Sequence, residues 1–146
     1  MVSQVNRNAR RRRVHARIRK QLRGTAARPR LAVFRSLRHI YAQVIDDDAQ
    51  HTLATASTVG AAFGGYGGNV AAASKVGEMI AERARESGIE QLVFDRGGHN
   101  FKGRVRAVAE AVQKAGLLPP TRERRERDEP AAAAKGGKSG KGRKAK

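Results

Sequence analysis

Cysteine is absent from the 146 residues, which excludes disulfide frameworks, cysteine-ligated zinc and thiol catalysis together. Tryptophan is absent as well, and aromatic residues make up only 4% of the chain, so any core is modest and built from aliphatic side chains. No run of eighteen or more apolar residues occurs, which excludes a membrane-spanning helix. The charged first residues have no apolar run behind them and are expected not to be a secretory signal. Most telling is the missing acid: the first thirty residues contain none.

What is present is positive charge, unevenly placed. Residues 1–30 carry eleven cations, Arg7, Arg10, Arg11, Arg12, Arg13, Arg17, Arg19, Lys20, Arg23, Arg28 and Arg30. Residues 31–120 hold ten cations and nine acids, and residues 121–146 ten and four, so local net charges of +11, +1 and +6 make up the total of +18. A nearly neutral domain between two basic arms suits a protein that clamps a polyanion, because every phosphate neutralised releases counterion. The chain is therefore expected to comprise a basic RNA-binding arm (1–27), a globular domain (28–118) and a low-complexity basic tail (119–146) whose composition predicts disorder.

Within the arm, Val14, Ile18 and Leu22 recur at four-residue steps, a thin apolar stripe among arginines. Mutual repulsion predicts a frayed, flexible arm that orders when it meets RNA. Strands are expected over Leu31–Phe34, Ile40–Ile45 and His51–Ser57, joined by short polar turns as an antiparallel meander. The glycine-rich stretch Gly60–Gly68 lacks the Gly-Lys-Ser/Thr ending of a phosphate cradle and reads as a linker. Asn69 is placed to cap a helix from Val70 to Ser87, with Ala73, Val76, Gly77, Ile80 and Ala84 on its apolar face and Glu78, Glu82 and Glu86 on another. A fourth strand is expected over Gln91–Phe94. A last helix carries Val105, Val108, Ala109 and Val112 inward and stops at Gly116 and the Pro119-Pro120 pair. The order strand, strand, strand, helix, strand, helix predicts an α/β fold with a mixed four-stranded sheet.

The stretch L-V-F-D-R-G-G-H-N-F-K-G-R-V, Leu92 to Val105, lies at the carboxyl end of the last strand beside a helix N-terminus, where ligands tend to bind in α/β sheets. Gly97 and Gly98 either let a phosphate approach the backbone or serve a tight turn, and Arg96 and Arg104 can each fork hydrogen bonds to phosphate. Asp95 either fixes Arg96 or caps the loop amides. Tyr41 either stacks on a base or covers the sheet.

Two segments, R-P-R-L-A-V-F-R-S-x-R-H-I-Y-A-Q-V-I-D from Arg28 and F-D-R-G-G-x-x-F-x-G-R-V from Phe94, resemble the bacterial large-subunit ribosomal protein eighteen family, which binds 5S ribosomal RNA. The resemblance covers roughly residues 5–117. It implies a ribonuclease-H-like topology, no enzymatic activity, no cofactor, and a cytoplasmic ribosomal location. It also implies binding to 5S rRNA and its attachment to 23S rRNA in the central protuberance, beside neighbouring 5S-binding ribosomal proteins. No membrane and no small-molecule substrate is implied. The matching positions place Arg35, Ser36, Arg38, His39 and Tyr41 at RNA, together with Asp95, Arg96, Gly97, Gly98, Lys102, Gly103 and Arg104. Leu37 replaces the usual asparagine, His99 stands where an aromatic ring is common and Lys102 where histidine is common. His99 is kept among the expected contacts for its place in the loop.

Two rivals are weaker. A ribonuclease-H-type nuclease would need clustered carboxylates for two metal ions, and Asp46, Asp47, Asp48 and Asp95 are the candidates; the first three share one turn and Asp95 adjoins an arginine. His15, His39, His51 and His99 show no metal-ligand spacing. A nucleoid-type DNA-compacting protein would suit the lysine-rich tail, whereas the arginine-rich arm favours folded RNA.

Overall fold

In the computed structural model, residues 6–61 and 63–120 are described; the expected tail from Thr121 onward lies outside them. Three strands, β1 (Arg30–Arg35), β2 (Ile40–Asp46) and β3 (His51–Ser57), form the expected antiparallel meander. Helix α2 (Val70–Glu86) follows, its first turn capped by the Asn69 side chain, which accepts from the Ala72 amide at 2.7 Å. Strand β4 (Val93–Asp95) then pairs parallel to β1, and α3 (Arg104–Lys114) closes the domain. The sheet order is β3-β2-β1-β4, a mixed four-stranded open sheet.

Side chains alternate across this sheet as the strand period demands. Leu31, Val33, Ile40, Ala42, Val44, Ala54 and Ala56 point to the inner face, where α2 supplies Ala73, Val76, Ile80 and Ala84, and α3 supplies Val105, Val108 and Val112. The helical faces read from periodicity are the faces that are buried. β4 begins later than expected because the Leu92 amide donates to the Leu117 carbonyl rather than to a strand, and only from Val93 does the ladder with β1 run.

The four-residue stripe of the arm falls on a helix. Residues Arg7–Gln21 form a helix, α1, with the Asn6 side-chain Oδ1 accepting from the amides of Asn8 and Ala9 at 3.1 and 3.2 Å. Arg19 and Lys20 sit in its last turn, where the helix dipole favours cations. No residue of α1 is buried. What the repulsion argument omitted is that carboxylates of the domain reach this helix across the outer face of the sheet.

Candidate nucleic-acid interface

Arg11, His15 and Arg19 recur every four residues, so they share one stripe of α1 with Val14, Ile18 and Leu22 at its side. The Arg11 guanidinium donates to the Gly97 carbonyl at 3.3 Å, His15 Nε2 lies 3.2 Å from Asp95 Oδ2, and Arg19 donates to both oxygens of Asp47 at 2.9 and 3.3 Å. Arg10, Arg13, Arg17 and Lys20 fall about 180° away at 100° per residue and face solvent. The helix thus has a docking side and a cationic side. In the sequence both were arginine-rich, and only the four-residue recurrence of 11, 15 and 19 distinguished them.

Beneath α1 lies Arg30, expected at RNA but buried here. Its Nε and Nη2 donate to Asp47 Oδ2 and Oδ1, and its Nη1 to Asp95 Oδ2, all at 2.9 Å. Asp47 accepts further from Arg19 and from the Gly24 amide at 2.8 Å. These bonds, the Arg30 fork first, hold the Asp47 carboxyl well below the usual carboxylate range, against the opposing effect of burial. Arg30 is therefore a structural cation, unable to reach a phosphate without abandoning two carboxylates.

The loop after β4 is organised from below as well. Asp95 is fully buried; its Oδ1 accepts from the Gly97 amide at 2.8 Å while Oδ2 takes Arg30 and His15. It therefore caps a loop amide, as one sequence alternative had it, but does not hold Arg96, which donates to the His99 carbonyl at 2.9 Å. Gly97 and Gly98 both adopt positive φ, at 62° and 78°. A side chain on Gly98 would collide with the Arg11 carbonyl, and one on Gly97 with the Val33 carbonyl. Their smallness thus serves the turn and the seating of α1. Arg104 reaches from α3 to the carbonyls of Ser36 and Leu37 at 3.0 and 3.4 Å, pinning the β1–β2 turn to this loop. Gly103 is the backbone cap of α3, with φ 57°.

In that turn the Ser36 hydroxyl and the His39 amide are bonded at 3.0 Å, and the His39 ring meets the Thr58 hydroxyl at 3.2 Å. Arg35 and Arg38 stand exposed on either side of Leu37, which is itself 92% exposed. Tyr41 is half-buried and packs at 5.9 Å from the ring of Phe34, a residue the apolar run Leu31–Phe34 concealed because alternation sends it outward. Phe34 is 45% exposed, with Arg11 over its ring. Among the described residues, the expected contacts left with no side-chain partner are Arg7, Arg10, Arg12, Arg13, Arg17, Lys20, Arg28, Arg35, Arg38 and Lys102. Arg23 pairs with Asp48.

His99 is nearly buried, its edge against Phe34 at 5.5 Å and its Nε2 accepting from the Arg35 amide at 3.4 Å. Burial, then the nearby Arg11, Arg35, His15 and Arg104 charges, push its imidazole down to about 4 from 6.5. Between those values the unfolded chain binds the proton and the folded chain does not, so stability falls as pH drops from 6.5 to 4. We expect His99→Phe to flatten this segment of the profile in thermal melts at stepped pH; superimposable wild-type and variant profiles would refute the assignment.

The carboxylates considered for metal chemistry are dispersed. Asp46 caps the Asp48 and Ala49 amides, Asp47 and Asp95 face Arg30, and Asp48 faces Arg23. Glu78, Glu82, Glu86 and Glu110 line a groove between α2 and α3, on the side of the sheet opposite α1. Arg85 and Lys114 share this groove with them.

Residues 5–118 match the family described as ribosomal L18 of archaea, bacteria, mitochondria and chloroplast. The chain is 57% identical over 120 residues to large ribosomal subunit protein uL18 of Desulfitobacterium hafniense, covering 80% of this chain and 98% of that protein. It is 55% identical over 117 residues to uL18 of Solibacter usitatus, with the same coverage, and 57% identical over 109 residues to uL18 of Microcystis aeruginosa, covering 73% and 91%.

Proposed function

The chain belongs to the ribosomal L18 family, structural, non-enzymatic proteins of the large ribosomal subunit, and on that premise we propose that its particular partner is 5S rRNA. In this reading it helps attach 5S to 23S rRNA in the central protuberance, beside neighbouring 5S-binding proteins. The ribonuclease-H-like topology belongs to the same reading and is supported by the β3-β2-β1-β4 order with β4 parallel to β1.

One observation carries the proposal: α1 is docked by one stripe while Arg10, Arg13, Arg17 and Lys20 are left facing solvent, and Arg35 at the end of β1 and Arg38 in the following turn are exposed as well. A cationic helix locked in orientation recognises a shaped phosphate surface better than a loose basic arm, because its ordering entropy is spent in folding. Arg11, Arg19, Arg23, Arg30, Arg96 and Arg104 act from behind, holding the helix and the two loops in register. Gly97, Gly98, Gly103, Ser36, His39 and His99 shape those loops, and Lys102 stands exposed at the end of the second one. The Glu78, Glu82 and Glu86 face is turned away from RNA.

Competition filter binding at physiological salt tests this. We expect 5S rRNA to be preferred over duplex DNA of equal length by about a hundredfold or more, since nonspecific binding sits at roughly 1–100 µM. Equal affinities would move the protein to the nucleoid-type class.

A further inference from the structure

We propose that the groove between α1 and the outer face of the sheet is a stacking site for one unpaired RNA base, with Phe34 as its platform. The proposal rests on the RNA-binding reading above and adds to it a ligand chemistry and a place.

The groove exists because α1 is held by polar contacts and buries none of its own residues. Arg11 seats one end of the helix on the Gly97 carbonyl, and His15 and Arg19 seat the remainder on Asp95 and Asp47. Val14 and Ile18 beside this stripe are only partly buried, and an open space of about 380 Å³ is left beneath the helix. Arg11, His15, Phe34, Ser36, Tyr41 and Gln43 line this space.

The lining suits a base. Phe34 points outward from β1 and keeps 45% of its surface exposed, an apolar ring left open to solvent. Its ring is held from the sides by Tyr41 at 5.9 Å and by the edge of His99 at 5.5 Å, so little motion remains to be lost when a base stacks on it. The Arg11 guanidinium, 5.5 Å over the ring, supplies a second planar group of the kind that stacks on bases. The exposed Gln43 amide has no side-chain partner among the described residues and offers both a donor and an acceptor to a base edge. No carboxylate lines the groove to repel a phosphate, and the nearby Asp95 has its oxygens occupied by Arg30, His15 and the Gly97 amide.

Pairing state follows from the same geometry. A base inside a duplex has no free face, so only an unstacked base can enter between a helix and a sheet. The exposed Arg35 at the end of β1 and Arg12 on α1 would accompany the strand on either side.

The full-length chain lacks tryptophan, so Phe34→Trp introduces a single indole into the groove, which can be excited selectively over the two tyrosines. We expect single-stranded ten-nucleotide oligoadenylate to quench its indole and a blunt ten-base-pair RNA duplex to leave it bright. Phe34→Leu, which keeps apolar volume but no ring, should weaken oligoadenylate binding by roughly five- to 150-fold and duplex binding by less than about twofold. Equal quenching by the duplex overturns the proposal. So does unchanged oligoadenylate binding by Phe34→Leu while the wild type binds both RNAs, and that outcome leaves the RNA-binding reading standing. A wild type that binds neither RNA removes both.

Discussion

Arg30→Met is expected to lower the stability of the folded domain by about 3–5 kcal/mol, the usual loss when one partner of a buried ion pair is removed. The Asp95 side chain is fully buried and that of Asp47 is 11% exposed, so loss of the guanidinium takes the shared cation from two covered carboxylates and leaves them to Arg19, His15 and two amides. For a domain whose total stability is of order 5–15 kcal/mol, such a loss is a large fraction of the whole. Urea unfolding monitored by circular dichroism measures it, and a loss below about 1 kcal/mol would contradict the assignment. The pH dependence has a definite sign. Asp47 is depressed in the folded state relative to its ordinary value of 3.8, so its contribution is complete above that pH and fades as the solution is acidified further. The gap between wild type and Arg30→Met should therefore be widest near neutrality and narrow below about pH 4.

Deletion of residues 1–23 should produce the largest change in binding. Nine cations are lost, of which Arg11, Arg19 and Arg23 are engaged with the domain and six face solvent. At about 0.7–0.9 of a unit per phosphate contact, up to roughly 4–5 units of the slope of log affinity against log salt should disappear. The affinity loss should be severe at low salt and smaller at high salt. An unchanged slope would make the arm a bystander. Because Asp47 and Asp95 also lose partners, the titration belongs at a temperature where circular dichroism shows the truncated domain folded. Gly98→Val is the complementary variant: all charge remains, but a side chain there meets the Arg11 carbonyl and must unseat α1. Its salt slope should stay near that of the wild type while its preference for 5S rRNA over duplex DNA declines, which separates the attraction of the arm from its orientation.

Much of the candidate interface is legible as residue types. Arg35 and Arg38 are both exposed, Arg38 in the expected turn but Arg35 as the last residue of β1; Tyr41 lies in the second strand, as expected, beside Phe34. Phe34 itself was missed because a four-residue apolar run does not announce which of its members faces outward. That depends on Leu31 and Val33 being taken by the helices. Gly97 and Gly98 were open to two readings, and the close approach of Arg11 and Val33 carbonyls favours packing. Of the three consecutive aspartates, Asp46 and Asp47 are largely covered, one bonded to its own turn and the other to Arg30, which three like charges side by side in the sequence do not announce.

The sequence by itself determined the α/β class, the meander, the two packed helices and the concentration of cations at the N-terminus. Each of these follows from local periodicity, capping or composition, which a linear chain displays. Only the tertiary structure decided which cations remain available to RNA. Arg30 meets Asp95 across 65 positions because β1 and β4 pair in parallel with Ala32 beside Asp95, and Arg19 meets Asp47 across 28 because α1 lies over that same face. An arginine's charge is written in the sequence, but whether that charge is already neutralised depends on a carboxylate that only strand register and helix docking bring within reach.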